Sequence, residues 1–261
     1  MTEGERWLHE LEAALIPWGL NHVGVVSGQA WDAVARPETT TSALAPGARS
    51  VVVVASAGPA LWEAFVGACR ADPQHLLSTP HPLDQFCRRA VHAATAGQEH
   101  AWFHASFDAP IPLDFRTLAV LAGLGAPSRL GLVLDAEWGP WMGLRAAAFV
   151  PFSLPLSPPA PDLCADCSAP CEVACPGDAF VQGRWSVARC ANFHQVSVAC
   201  AASCAARSAC PVGSVHRYSD LELLYHYNRA QGRVALRAAL GIPAEQDPHM
   251  GSGPYWGAWS G

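Results

Sequence analysis

Two periodicities divide the hydrophobic positions of the chain. Trp7, Leu8, Leu11 and Leu15 recur at helical spacing behind the capping-box pair Thr2 and Glu5, which predicts an amphipathic opening helix ending near Pro17 to Gly19. A short strand follows at Val23 to Val26. After a loop from Arg36 to Gly47, the run Val51-Val52-Val53-Val54 is too short and too β-branched for a helix, and it predicts a central strand buried on both faces. Helical spacing returns at Ala60 to Cys69 and at Leu83 to Ala96, where Phe86, Cys87, Ala90, Val91 and Ala94 share a face ahead of Gly97. Trp102 to Phe107 reads as a strand, Leu113 to Leu121 as a helix, and Leu130 to Leu134 and Arg145 to Phe152 as strands. Helical segments are expected again at Ser219 to Asn228 and Arg233 to Leu240.

This alternation predicts an α/β or α+β domain. Five prolines between Pro151 and Pro161 resist both helix and central strand and mark its end. The predicted organisation is an α/β domain over 1–157, a cysteine-rich domain over 158–217, and a C-terminal extension over 218–261. That extension consists of helices and an aromatic tail carrying Tyr255, Trp256 and Trp259.

Composition narrows the function. With 51% apolar and 15% charged residues, the 261-residue chain has the means to build a core and is not a disordered segment. The net charge is −6 and every one of the 16 basic residues is Arg. An acidic balance disfavours a nucleic-acid surface, and the lack of Lys removes Schiff-base chemistry and Walker-type phosphate loops. No apolar stretch approaches the length of a membrane span, and the first residues are acidic where a secretory signal is basic, so a cytoplasmic location and no membrane partner are expected.

Ten cysteines are present, and eight lie between Cys164 and Cys210. Cys69 and Cys87 sit on apolar helix faces and read as small buried hydrophobes. The eight run Cys164-x2-Cys167-x3-Cys171-x3-Cys175-Pro176, then Cys190, then Cys200-x3-Cys204-x5-Cys210-Pro211. Two-cluster ferredoxins use a similar run whose last Cys, followed by Pro, ligates the other cluster. Applied here, that interlock assigns Cys164, Cys167, Cys171 and Cys210 to one 4Fe-4S cluster and Cys175, Cys190, Cys200 and Cys204 to a second. The gap between Cys167 and Cys171 is one residue longer than in the ferredoxin run, which a bulging loop would absorb. A pair of structural zincs is the rival reading, because four cysteines in short knuckles also hold zinc. Disulfides come third. His194 and His216 lie nearby, but the eight thiols already fill eight positions.

Two stretches carry a family resemblance. The segment from Ala122-Gly123-Leu124-Gly125-Ala126-Pro127-Ser128-Arg129-Leu130-Gly131 to Leu134, with Glu137-Trp138-Gly139-Pro140-Trp141 after it, resembles the glycine signature of epoxyqueuosine reductases. The cysteine block follows at a similar distance, and Arg189-Cys190 resembles an Arg-Cys pair of that family. The resemblance implies a nitroreductase-like cobalamin-binding domain joined to a smaller ferredoxin-like two-cluster domain, as in the related reductive dehalogenases and, more distantly, the cobalamin-processing chaperones. It implies cobalamin as a second cofactor, Gly123, Gly125, Ser128, Arg129 and Gly131 as cofactor-binding positions, and an acidic proton donor upstream, for which Asp108 is the candidate and Asp114 the neighbour. Ser128-Arg129-Leu130 stands where the family has Gly-Lys-Asn. The short segment after Cys210 leaves out the family's tRNA-binding helical repeats, so the machinery is expected without the tRNA substrate. The expected function is an iron–sulfur oxidoreductase that reduces an unidentified small molecule with electrons from a flavodoxin- or ferredoxin-type donor. The rivals are a non-catalytic electron carrier or corrinoid-handling protein, and a structural zinc protein acting by interaction.

Overall fold

Thr2 caps the opening helix as its sequence predicts. Its hydroxyl accepts from the Glu5 N–H at 3.2 Å while the Glu5 carboxylate accepts from the Thr2 N–H at 2.7 Å. The helix, α1 (Glu3–Leu15), buries Trp7, Leu11 and Leu15. It belongs to a computed structural model that describes residues 1–95, 100–106 and 109–249.

Four strands form the main sheet: β1 (His22–Ser27), β2 (Ser50–Ala57), β3 (Ala101–His104) and β4 (Met142–Val150). Their order is β1-β2-β4-β3, and each neighbouring pair is antiparallel, so the fold is α+β rather than a parallel crossover fold. Every residue of β2 is buried. Its alternating side chains feed two cores. Val52 and Val54 join Ala146, Ala148 and Val150 of β4 beneath α1, α2 (Ala60–Ala71) and α3 (Pro82–Ala94). On the other face, Val51, Val53 and Ala55 join Ala147 and Phe149 beneath Trp31 and α4 (Phe115–Leu121).

The polypeptide after the main sheet folds as short pieces: α5 (Pro170–Ala174), a two-stranded hairpin (Phe180–Val181 with Arg184–Trp185), α6 (Val187–Val196), α7 (Val198–Ala202) and α8 (Ala205–Ser208). Then come α9 (Asp220–Tyr227) and α10 (Arg229–Ala239). Tyr225 of α9 and Leu236 of α10 are fully buried, so both helices pack into the first core.

Several boundaries move for identifiable reasons. The strand expected at Leu130 to Leu134 shrinks to Val133–Leu134, paired with Ala126–Pro127, because Gly131 turns the chain at φ +71°. The Leu113 helix starts at Phe115, since the Asp114 carboxylate accepts from the Thr117 N–H and caps it. The last strand runs from Met142 to Val150, shifted toward the N-terminus of its expected span. Ala96, Gly97, Phe107 and the aromatic tail lie outside the described residues.

Candidate functional site

The cysteine unit is built around thiols on separate short elements. Cys164 and Cys167 lie on a turn, with the Cys164 N–H donating to Asp162 Oδ1 and the Cys167 N–H to the Cys164 carbonyl. Cys171 lies in α5 and Cys175 at its C-terminal end. The extra residue before Cys171 is absorbed at Ala169, which takes a left-handed conformation at φ 56° and lets Pro170 start the helix. Cys190 lies in α6 and Cys200 in α7, behind the capping hydroxyls of Ser186 and Ser197. Cys204 caps α8, its Sγ accepting from the Arg207 N–H at 3.4 Å, and Cys210 follows that helix.

The thiols sort into two groups. Cys171 lies within electrostatic reach of Cys210 and Cys164, and Cys210 within reach of Cys164 and Cys167. Separately, Cys190 feels Cys204, Cys175 and Cys200, and Cys200 feels Cys204 and Cys175. Cys175 is therefore grouped with residues far along the chain, and Cys210 with the early run. Burial is the main cause that raises the thiol pKa values of Cys171, Cys190, Cys200 and Cys210, and the neighbouring thiols add to it. Such thiols disfavour the anion until a metal centre deprotonates them. No three His, Cys, Asp or Glu side chains among the described residues converge on a single-ion site. Cys69 and Cys87 are different: burial pushes their pKa values to about 12 and about 11, as suits inert core thiols.

The first domain packs directly on this unit. Leu130 and Leu134 share an apolar cluster with Cys171, Ala206 and Cys210. A Cβ added at Gly139 would lie 2.1 Å from the Val212 carbonyl oxygen, and one at Gly213 would meet the Trp138 backbone at 2.3 Å, so two turns interlock through glycines. Arg207, buried at this seam, donates to the Pro140 carbonyl through Nε (3.1 Å) and Nη2 (2.6 Å). Its guanidinium also lies over the rings of Trp141 and Tyr218 at 4.6 and 4.8 Å.

A cleft opens at the same seam. One cavity of about 560 Å³ is lined by Arg116, Ser128, Arg129, Gly131, Cys164 and Trp185 among others. A second, of about 320 Å³, shares Arg116, Pro127, Ser128 and Gly131 with it and adds Asp114 and Leu132. A small enclosed space, lined by Cys164, Cys167, Cys171 and Cys210, shares Ser128 and Arg129 with the larger cavity. Ser128, Arg129 and Gly131 thus line the cleft. Gly123 and Gly125 instead press against other backbone, a Cβ there meeting the Pro158 carbonyl oxygen at 2.3 Å and the Leu134 carbonyl oxygen at 2.7 Å. Those two glycines answer to chain packing. Arg129, which lines both spaces, pairs with Glu172 at 2.9 Å. Asp114 is spent on capping α4, and its pKa is lowered: although burial opposes this, hydrogen bonds from Thr117 and the nearby Arg116 hold it ionised. Asp108 lies outside the described residues.

Sequence reasoning missed Trp185, Arg207 and Tyr227. Trp185 packs its ring on Gly131, within contact of a Cβ at 2.5 Å, and walls the cleft. Tyr227 lies within electrostatic reach of both Arg207 and Cys204. A lone aromatic or Arg between cysteines carries no spacing signal that could have revealed these roles.

Comparison with known proteins assigns this architecture. No protein-family profile matches the chain. An epoxyqueuosine reductase from Vibrio cholerae serotype O1 is 36% identical over 83 residues, which is 31% of this chain and 22% of that protein, so the aligned piece spans under a quarter of the relative. The crystal structure of an epoxyqueuosine reductase with an epoxyqueuosine-modified tRNA-Tyr stem loop superposes with a TM-score of 0.56 at 17% identity, over 84% of this chain and 68% of that one. A B12-trafficking protein CblC from C. elegans superposes with a TM-score of 0.58 at 13% identity, over 90% of this chain and 95% of that one. A catabolic reductive dehalogenase gives 0.51 at 16% identity, over 88% of this chain and 35% of that one. The chain has the fold common to these proteins.

Proposed function

We propose that this chain is an iron–sulfur oxidoreductase in which two groups of four thiolates each hold a 4Fe-4S cluster and the adjoining cleft holds a base-off corrinoid, the substrate being an unidentified small molecule. The observation that carries this reading is the exchange of Cys175 and Cys210 between groups. Contiguous zinc knuckles do not need such an exchange, whereas it is the ligand pattern of interlocked cluster pairs.

The cleft fits a large flat cofactor with a polar fringe. Trp185, packed over Gly131, walls the cleft, Gly183 lines it with backbone, and Arg116, Ser128 and Arg129 present hydrogen-bonding groups on its lining. Bound there, a corrinoid supplies a low-potential cobalt centre, and the clusters supply single electrons. In this reading the chain's own residues hold and shield: Leu130, Leu134 and Cys210 keep water from the cluster beside the cleft, while the pair with Glu172 fixes the Arg129 side chain on its lining. Asp108 is the proposed proton donor. An external flavodoxin- or ferredoxin-type protein supplies the electrons, and the net charge of −6 leaves no excess positive charge for a tRNA partner.

A second reading, a corrinoid-handling protein without an oxidoreductase reaction, is favoured by one observation: the superposition on CblC spans nearly the whole of both chains. Anaerobic purification with metal analysis tests both readings. About 8 iron and about 8 acid-labile sulfide per chain support the two-cluster site. Stoichiometric zinc without sulfide refutes it. Hydroxocobalamin should take on a base-off spectrum with the wild type, and Ser128→Trp, which fills the cleft, should abolish the change. Retained clusters without any spectral change would refute the corrinoid site.

A further inference from the structure

The charges lining the larger cavity run against the balance of the chain. In a protein of net charge −6, three of the 16 basic residues, Arg116, Arg129 and Arg184, line this one space, against Asp162 alone of the 22 acidic residues. Asp162 is engaged, its Oδ1 accepting from the Cys164 N–H at 2.9 Å. Arg129 is matched by Glu172 at 2.9 Å. Among the described residues, neither Arg116 nor Arg184 forms an ion pair. Arg116 does face the Asp114 carboxylate of the adjoining cavity, but that group accepts from the Thr117 N–H at 3.0 Å and from the Thr117 hydroxyl at 2.7 Å.

Both guanidinium groups stand on fixed backbone. Arg116 lies in the first turn of α4, and its Nη1 donates to the Gly131 carbonyl at 3.2 Å, which leaves four of its five N–H donors for another acceptor. Arg184 follows the two-residue turn Gln182-Gly183, whose positive φ values of 51° and 73° make a tight hairpin. Its two neighbours in the chain are both seated on the first domain. A Cβ on Gly183 would lie 3.2 Å from Arg129 Nη1, and one on Gly131 would lie 2.5 Å from the Trp185 ring. The carbonyl that orients Arg116 therefore belongs to the residue beneath Trp185, and Trp185 is next to Arg184. One arginine from each side of the seam is brought to the same cavity.

Resting on the reading of this cleft as the ligand site, we infer that Arg116 and Arg184 form an oxyanion subsite that takes a phosphate or carboxylate group of the bound ligand. A guanidinium is a planar fork whose parallel N–H groups match the paired oxygens of either group, and it stays charged at every working pH. An anion held by both arginines also ties α4 of the first domain to the hairpin of the cysteine unit. Two sources supply such a group: an anionic substrate, and the phosphodiester in the nucleotide tail of a complete corrinoid.

The test is calorimetry of the anaerobically purified holoprotein with inorganic phosphate at constant ionic strength. Wild type should bind phosphate, and Arg116→Gln and Arg184→Gln should each weaken binding about tenfold or more with the iron content unchanged. Arg184→Lys, which keeps the charge without the fork, should fall between, and Arg70→Gln, at an exposed position of α2, should change nothing. Hydroxocobalamin and cobinamide, which lacks the nucleotide tail, separate the two sources. Weakening of hydroxocobalamin alone in Arg184→Gln assigns the oxyanion to the corrinoid. Unchanged binding of both corrinoids, with phosphate still bound beside them in the wild type, assigns it to the substrate. Either result supports the subsite. A wild type that binds no phosphate, or binds it as well after both substitutions, while hydroxocobalamin still takes on its base-off spectrum, would overturn the inference and leave the corrinoid reading standing. Phosphate binding that depends on both arginines, without any corrinoid response, would refute the corrinoid reading and leave the subsite.

Discussion

Glu222 gives the sharpest test of the packing between α9 and the sheet. Its side chain is 4% exposed, with Oε1 3.9 Å from His226 Nε2, yet it faces Glu63 of α2 as well as Arg145 of β4 and Arg207 of α8. Burial pushes its pKa up to about 8, against the lowering influence of the two arginines and the Ser219 N-cap. The fold therefore prefers the neutral acid. A raised carboxyl pKa contributes stability that is fully present below the unfolded value of 4.5 and is lost as pH rises through 8. The gap between these values amounts to about 5 kcal/mol in total and about 3 kcal/mol by pH 7. His226 acts in the opposite sense: burial, reinforced by Arg145, Arg229 and Arg207, holds its pKa well below 6.5, so its contribution is lost as pH falls. Glu222→Gln keeps the shape and removes only the alkaline limb. The assay is hydrogen exchange of α9 amides between pH 5 and 9, with wild type and variant compared at equal pH so that intrinsic exchange cancels. The two should be similar near pH 5, and the variant should be better protected by on the order of a hundredfold at pH 7. Parallel profiles across the whole range would show that Glu222 ionises freely and that the burial argument is wrong.

Other expected outcomes follow from the cysteine unit and its seam. Cys175→Ala and Cys190→Ala should remove the same cluster by paramagnetic resonance, although Cys175 is contiguous with the other run; loss of different clusters would refute the grouping. Ala169→Gly should stabilise the holoprotein by about 1 kcal/mol, because a left-handed alanine costs about that much and glycine does not pay it; an unchanged melting temperature would argue against the bulge. Gly139→Ala should cost about 3 kcal/mol through overlap with the Val212 carbonyl at positive φ, read as a lower melting temperature with faster iron loss.

Periodicity alone located α1, β2, α2, α3 and the last two helices, because an amphipathic stripe or a β-branched run reflects which neighbours are buried and how often. The eight clustered thiols were equally legible, since cysteine is a chemically distinct residue type and here recurs at short spacings. The short helices α5 to α8 were not, because elements of four to ten residues among Ala, Ser and Cys bury little and leave no stripe.

What the sequence determined by itself was therefore a set of local preferences and a cluster of thiols. The tertiary structure decided three further matters. It made the sheet antiparallel, a choice of strand order that periodicity does not encode. It set α9 and α10 into the first core, where Tyr225 and Leu236 are fully buried. It also assigned the glycines their separate tasks, Gly123 and Gly125 against backbone and Gly131 beneath Trp185. The reason is common to all three: each depends on which distant surface arrives opposite a residue, and that partner is chosen by the packing of the whole chain.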